Sequence, residues 1–418
     1  LQNGPNLDEL DRMLSESPAA IDDRERNTFW RLADPFGKSF VIFGAGQLGR
    51  KVARALRQHG IEPLAFADSN QKIWGTSVDG IPVRSPADAA AEWGQRAAFV
   101  ISIWPSRASD TYADRERRLQ ELGCVKVIPY LSLFWTDPAA YLPHFSLDAP
   151  RSILAEDSLI RRCAGLWSDP ASLHAFVGIL RWRLLADFSG IPARSSHEQY
   201  FADDLFRVEP SEVFVDCGAY DGDTIRALSQ RLDGKLCRIF ALEPDEQNFA
   251  KLQAYLTALG ARAESITAFP YAVGRRRETL RFSATGTDNA SVAPEGSVTV
   301  EAVPLDELLA DESPTFIKMD IEGFELEALA GAAGVIRRCR PIMAITVYHH
   351  SDHLWKVPLA IAAAADPEFD TDAPADYSFF LRSYQTEFWE TVCYAVPRSR
   401  RIQKGRDSGR FQPVSPSA

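Results

Sequence analysis

The chain contains no run of 18 apolar residues, so no segment of it reads as a membrane-spanning helix. It has no long basic tract. Acids outnumber bases 57 to 46, giving a formal net charge of -11. Phosphate contacts supply most of the affinity of non-specific nucleic-acid binding, and this balance offers no global counterpart for them. The six cysteines, Cys124, Cys163, Cys217, Cys237, Cys339 and Cys393, include no CxxC pair. That excludes a thiolate zinc knuckle and points to reduced thiols in a cytoplasmic protein. No GKS or GKT follows a glycine-rich turn, so there is no P-loop. The first residue is Leu1 and not methionine, and a targeting segment is left open. What is present is a folding composition, 45% hydrophobic and 11% aromatic. Its 418 residues suffice for two or three domains.

Strand and helix patterns alternate along the chain, which predicts an α/β fold with parallel sheets covered by helices. Residues 1–37 are polar and acidic and read as an N-terminal arm with a short helix at 7–14. A sheet domain is expected over 38–135, with strands at 39–43, 61–67, 98–104 and 125–129. A helical connector follows over 136–197, with helical periodicity at 158–163 and 174–188. A second sheet domain is expected over 198–397. Its strands fall at 213–217, 238–242, 266–273, 297–303, 315–319 and 341–348, with a hairpin near 279–282 and a final pair at 377–381 and 390–395. Residues 398–418, basic and then rich in Pro and Ser, read as a flexible tail. The expected class is two Rossmann-like sheet domains joined by a helical connector.

Gly44, Gly46 and Gly49 make a GxGxxG turn between a strand and a helix, which brings backbone close to a phosphate. Asp68 ends the next strand and is placed to accept a ribose hydroxyl. Two readings stay open. One is an NAD(P)-dependent oxidoreductase or epimerase using this domain. The other is a non-catalytic module for substrate recognition or dimerisation, in which Asp68 caps the turn at 69–70.

The stronger signal lies in residues 213–224, VFVDCGAYDGDT. Asp216 closes a strand, and Gly218, Ala219, Tyr220 and Gly222 follow it. Such a turn lets a cofactor with an ammonium and a carboxylate lie across the strand ends. Asp216 can anchor the ammonium, and backbone groups of Gly218 and Ala219 can face the amino-acid portion. Glu243 closes the next strand, where a carboxylate can accept both hydroxyls of a ribose. Pro244 suits the first turn of the helix that follows.

These residues carry a resemblance. VDCGA at 215–219, Glu243-Pro244 and IKMDIEGFE at 317–325, in that order, resemble the FkbM family of S-adenosylmethionine-dependent methyltransferases. Tyr348-His349-His350 with Asp352, Leu354, Trp355 and Pro358, the segments 381–384 and 390–392, and Gln199-Tyr200-Phe201 are similar to a branch of it. The resemblance covers about 198–397. It implies a class I methyltransferase fold, S-adenosyl-L-methionine as cofactor, and methylation of a small-molecule hydroxyl in biosynthesis: a sugar, a nucleotide-linked sugar or a polyketide. It implies that Asp216, Gly218, Ala219 and Tyr220 meet the methionine part and nearby ribose, and that Glu243 holds the ribose hydroxyls. It places Ala272, with Tyr271 and Val273, near the adenine, and Tyr200 and Phe201 as a lid. The N-terminal sheet domain lies outside the family's core pattern and is similar to the Rossmann-like half of sugar-modifying enzymes.

A hydroxyl acceptor gains from a base that takes its proton. Asp320 and Glu322 follow one strand directly, and His349 and His350 follow another. Open parallel sheets bind ligands at such carboxyl ends. His349 is favoured as the base because it stands nearer the strand end. Asp320 can orient donor, acceptor or base, or pair with Lys318, and Glu322 can instead cap the next helix. Glu325 and Glu327 belong to that helix's first turn. Trp355 and Tyr384 either wall an acceptor pocket or join the core, and Asn289 and Ser291 lie on a loop facing cofactor or acceptor. Asp352 near the histidines gives a mononuclear metal site some basis, but none is assigned. The expected partner is a small hydroxylated molecule, with no nucleic acid and no membrane; a homo-oligomer is left open.

Overall fold

Short runs that are apolar on both faces build the centre of each sheet, because helices on either side bury both faces of a parallel strand. The computed structural model describes residues 7–103, 110–188, 191, 194–235, 237–287, 290–369, 376–385, 387 and 389–402. By contact density the chain forms two units. The first comprises Leu1–Ser195 with Val347–Lys356 and Leu381–Thr391; the second comprises Ser196–Thr346, Val357–Phe380 and Val392–Ala418.

The first unit holds β1 (Phe40–Phe43), β2 (Ala65–Ala67), β3 (Ser77–Val78), β4 (Ile81–Arg84), β5 (Ala98–Ile101) and β6 (Val127–Pro129). Their order is β3-β4-β2-β1-β5-β6. The β2, β1, β5 and β6 ladders are parallel, as is β2 with β4; β3 pairs antiparallel with β4. The second strand is shorter than its apolar run, since Pro63 cannot donate to a ladder. Of the expected strand at 98–104, residue 104 lies outside the described residues. Among the described residues ten helices accompany this sheet: α1 (Leu7–Leu14), α2 (Pro18–Ala33), α3 (Gln47–Gln58), α4 (Pro86–Trp93), α5 (Tyr112–Glu121), α6 (Leu131–Phe134), α7 (Pro138–Tyr141), α8 (Pro150–Leu154), α9 (Asp157–Ala164) and α10 (Pro170–Leu185). Side-chain oxygens of Ser17, Ser85, Thr111 and Asp169 accept the orphan amides at four of the helix starts.

The N-terminal segment packs more closely than an arm would. Leu10, Met13 and Leu14 of α1 and Phe29 and Ala33 of α2 are buried, with α1 against α10 and α2 against α6 and α8. Glu25 of α2, itself buried, accepts from the Arg151 backbone and guanidinium at 2.8 and 2.6 Å.

The second unit is built on β7 (Val213–Cys217), β8 (Arg238–Leu242), β9 (Ile266–Phe269), β10 (Ala272–Val273), β11 (Glu278–Ser283), β12 (Ser291–Val292), β13 (Val298–Val303), β14 (Phe316–Met319), β15 (Ile342–Thr346), β16 (Tyr377–Ser383) and β17 (Thr391–Pro397). A seven-stranded sheet has the order β16-β17-β15-β14-β7-β8-β9. From β15 through β9 it is parallel, and β17 joins β15 antiparallel. The single strand expected at 266–273 is divided. Pro270 lacks the N–H a ladder requires, so β9 stays in the main sheet while β10 joins β13 in a four-stranded sheet of order β10-β13-β11-β12. Helices α11 (Asp223–Arg231), α12 (Glu246–Leu259), α13 (Leu305–Leu308), α14 (Glu325–Ala330), α15 (Ala333–Cys339) and α16 (His353–Ala365) complete the elements, α16 starting in residues grouped with the first unit. Most of the tail, 403–418, lies outside the described residues.

Among the described residues, no helix is long and apolar enough to cross a membrane. The glycine turn after β1 depends on close approach. A Cβ on Gly49 would fall well inside van der Waals distance of the Gly44 carbonyl oxygen. Gly49→Ala is therefore expected to destabilise the chain by about 1–3 kcal/mol, read as a lower urea midpoint; an unchanged midpoint contradicts this packing.

Candidate active site

Two charged residues stand buried inside central strands of the second unit. Asp216 of β7 is 0% exposed and Lys318 of β14 is 3% exposed, and the two lie directly opposite in the parallel register. The ammonium forms an ion pair with Asp216 Oδ1 at 3.0 Å and donates to the Gly218 carbonyl at 2.7 Å and to the Cys217 carbonyl at 3.4 Å. Burial pushes the Asp216 carboxyl up to about 6, with Lys318 opposing that rise. Burial works to lower Lys318, but Asp216, Asp320 and Asp223 outweigh it and hold the lysine charged. Lys318 thus bonds to Asp216, a partner that alternation along its own strand did not point to.

The turn after β7 is set by this pair. Gly218 has φ +80, and a Cβ there would overlap the Asp320 carbonyl oxygen. The Gly218 and Ala219 amides donate to the Leu242 carbonyl at 2.9 and 3.0 Å. Tyr220 takes φ +47, and its amide donates to Glu243 Oε2 at 2.9 Å. The other Glu243 oxygen accepts from the Asp245 amide at 2.9 Å. Burial pushes the Glu243 carboxyl up to about 7, against the downward pull of these two amides. Asp245 is itself buried. One of its oxygens caps α12 through Gln247 and Asn248, and the other accepts from the Thr285 and Gly286 amides at 3.1 and 3.2 Å. So Asp216, Gly218, Ala219, Tyr220 and Glu243 come together at one end of β7 and β8.

Asp320 closes β14 beside them. Its Oδ2 accepts from the Tyr200 hydroxyl at 2.6 Å, and the Tyr200 ring lies 5.2 Å from the Lys318 ammonium. Tyr200 holds φ +68, fixed by its amide on the Tyr394 hydroxyl at 3.0 Å. Phe201 goes elsewhere: it is 1% exposed and packs on Phe214 and Phe316, near the opposite ends of their strands. Ala272 is buried in β10, paired with Ala302. Glu322 has φ +54. The turn that carries it is held by Glu325, fully buried, which accepts from the Ile321 amide at 3.1 Å and the Thr346 hydroxyl at 3.3 Å. Glu327 pairs with Arg275 at 3.0 Å. Ser291 begins β12, and Asn289 lies outside the described residues.

His349 and His350 belong to the segment grouped with the first unit, whereas Asp320 and Glu322 belong to the second. His349 is buried with its ring 4.3 Å from that of Tyr348, and His350 is exposed with its ring 4.8 Å from His353. Trp355 is a core residue, donating to Glu156 at 2.6 Å. In the first glycine turn, Asp68 accepts from the Ala45 amide at 2.7 Å and the Asn70 amide at 2.8 Å. Its carboxylate holds the glycine turn and caps the turn after β2. A separate groove lined by Lys51, Arg54, Arg57, Gln58, Ala140 and Tyr141 supplies a local basic patch in this acidic chain.

Lys318 and Asp245 had a legible signal, since a charge inside an apolar strand or beside a strand end demands a partner. Nothing local marked Glu325 as buried.

Lys318→Met removes the partner of a buried acid, and a stability loss of about 3–5 kcal/mol is expected at neutral pH. The sign with pH follows from the raised Asp216 value. A folded-state carboxyl above its unfolded value favours folding at low pH, and that contribution is lost as pH rises through the folded value. The deficit of the variant is therefore expected to be smaller at pH 5 than at pH 8 in urea denaturation; a pH-independent deficit contradicts the pairing.

Residues 216–384 match the family model described as Methyltransferase FkbM domain. Among solved structures, methyltransferase FkbM from Methylobacillus flagellatus KT is similar at TM-score 0.70 and 22% identity, over 93% of this chain and 97% of that one. At that identity the likeness is one of fold. Precorrin-6y C5,15-methyltransferase from Geobacter metallireducens GS-15 aligns at TM-score 0.27 and 18% identity, over 46% of this chain and 80% of its own. Aeropyrum pernix fibrillarin aligns at 0.28 and 12%, over 46% and 69%. Those two scores are too low to carry a structural likeness. No curated protein matches the sequence. The chain is an S-adenosylmethionine-dependent methyltransferase whose residues 216–384 are similar to the methyltransferase FkbM domain.

Proposed function

We propose that the chain methylates a hydroxyl oxygen of a small molecule: a sugar, a nucleotide-linked sugar or a polyketide. The observation that carries the cofactor end of this reading is the buried Glu243 carboxylate beside the Gly218 turn. Each oxygen is oriented by one backbone amide and keeps a lone pair for a ribose hydroxyl. The residues fit the cofactor, because the bare Cα of Gly218 lets its turn pack on the Asp320 carbonyl and so sets the buried Glu243 carboxylate, with both oxygens oriented, at the strand end. When bound, S-adenosylmethionine supplies a methyl group already activated on a sulfonium.

The chain then has to align and to remove a proton. Asp216 and Lys318 fix the turn formed by Gly218, Ala219 and Tyr220. Glu243 orients the ribose, Ala272 borders the adenine, and Tyr200 shapes the cofactor side, while Phe201 is a core residue and takes no part in the lid. His349 takes the acceptor proton, with His350, Asp320 and Glu322 as the further acid–base groups. No metal is assigned. The order of the seven-stranded sheet, with antiparallel β17, supports a class I methyltransferase fold. The parallel sheet and glycine turn of the first unit support a Rossmann-like assignment for 38–135. We keep 136–197 as connector, 198–397 as the methyltransferase domain, and a cytoplasmic protein without a nucleic-acid partner. Because Asp68 is engaged by the turn it would serve, the first sheet suits a recognition or dimerisation module better than a dinucleotide site.

Titration of the intact chain with S-adenosylhomocysteine tests the cofactor end. Affinity is expected to rise between about pH 6 and 8, as Glu243 ionises and becomes a pure acceptor. Glu243→Gln is expected to bind at least about tenfold more weakly, without that pH dependence, a loss of about 1.4 kcal/mol. Binding of NAD alone overturns the reading. For the proton acceptor, His349→Ala is expected to abolish turnover of any hydroxylated metabolite found by screening while keeping cofactor affinity; full turnover removes His349 from that role.

A further inference from the structure

Two arginines of the first unit are almost wholly buried, and they are treated very differently. Arg115, 1% exposed, donates to the Asp110 carboxylate at 3.0 Å, to the Ile103 carbonyl at 2.9 Å and to the Asp110 carbonyl at 2.7 Å. Arg183, also 1% exposed, makes one hydrogen bond among the described residues, from Nη1 to the Ser351 carbonyl at 2.6 Å. A guanidinium carries five N–H donors in a rigid fork. Among the described residues the Nε of Arg183 has no partner, and its one hydrogen bond comes from Nη1 and not Nη2. The side-on edge, two parallel N–H bonds, is the edge that binds a carboxylate or a phosphoryl group bidentately.

The nearest compensating acid is already committed. Asp352 lies close enough to favour the charged guanidinium, but its carboxylate accepts from Lys356 at 2.8 Å. Burial accordingly pushes Arg183 down to about 9. An unneutralised buried cation is a costly arrangement, and it calls for an anion.

The position of the fork suggests whose anion it is. Ser351 lies in the turn that carries His349, His350 and His353, and this turn and Arg183 belong to the same unit. His350, next to the buried Ser351, is exposed. We propose that the Nε–Nη2 edge of Arg183 receives a carboxylate or phosphoryl group of the methyl acceptor, beside the histidine turn. The acceptor is then an anionic hydroxylated compound. This rests on the assignment of His349 to the acceptor. Arg183 acts as a binding residue that fixes the acceptor's charged end.

The test uses the full chain saturated with S-adenosylhomocysteine, titrated separately with inorganic phosphate and with acetate at constant ionic strength, following Tm. A saturable rise in Tm with either probe is expected, phosphate alone marking a phosphorylated acceptor and acetate alone a carboxylic acid. Arg183→Gln is expected to need at least tenfold more of the same probe. Should that variant not fold, Arg183→Lys decides: it keeps the charge but not the fork, and a severalfold weaker response with unaltered S-adenosylhomocysteine affinity is expected. No saturable response in the unmodified chain, or a lysine variant equal to it, overturns the proposal. Failure of the cofactor to bind at all is a separate result and counts against the methyltransferase reading instead.

Discussion

One buried ion pair sets the geometry of the methyltransferase domain. Asp216 and Lys318 come from neighbouring strands in register, and neither tolerates its burial without the other. Because Lys318 also holds the Gly218 carbonyl, the end of β7 is locked to the end of β14. From there the order propagates by backbone bonds. The Gly218 and Ala219 amides reach the Leu242 carbonyl, the Tyr220 amide reaches Glu243, and Asp245 reaches the loop at 285–286. Four segments are tied to one lysine, so this end of the sheet is organised by the chain's own bonds.

The carboxylates around this pair divide the work by environment. Asp216 is paired with a cation, Glu243 and Asp245 accept from amides, and Asp320 accepts from a phenol. Glu325 does for the Asp-Ile-Glu-Gly turn what Asp245 does for the next one, folding back to accept the turn's own amides. This leaves Glu322, with its left-handed backbone, presented by a turn that another residue holds. The first glycine turn follows the same logic in reverse: Asp68 is spent on Ala45 and on its own cap.

Much of the domain was legible because its strands are apolar runs ending in acids. Val213–Cys217 and Arg238–Leu242 have the bounds their patterns indicate, and Asp216, Glu243 and Asp320 stand at strand ends as periodicity requires. The split at Pro270 and the shortening after Pro63 were readable in principle from the missing amide, but apolar content masked them. Partnerships between distant residues were not readable. Lys318 faces Asp216 only because β14 and β7 are adjacent in a given register, and Tyr200 meets Asp320 across 120 residues of sequence. The N-terminal helices looked like an arm because their apolar residues are few, yet Leu10, Met13 and Phe29 are enough to bury one face.

The first unit is not continuous in the chain. It takes in Val347–Lys356 and Leu381–Thr391 along with everything up to Ser195. A domain that emerges first during synthesis ordinarily folds first, as the chain grows at about 5–20 residues per second. The unit that begins at the N-terminus stays incomplete until residue 391 has left the ribosome, when nearly the whole methyltransferase sheet has been made. The turn carrying His349 therefore joins a unit whose first 195 residues were made before the second unit's parallel sheet began.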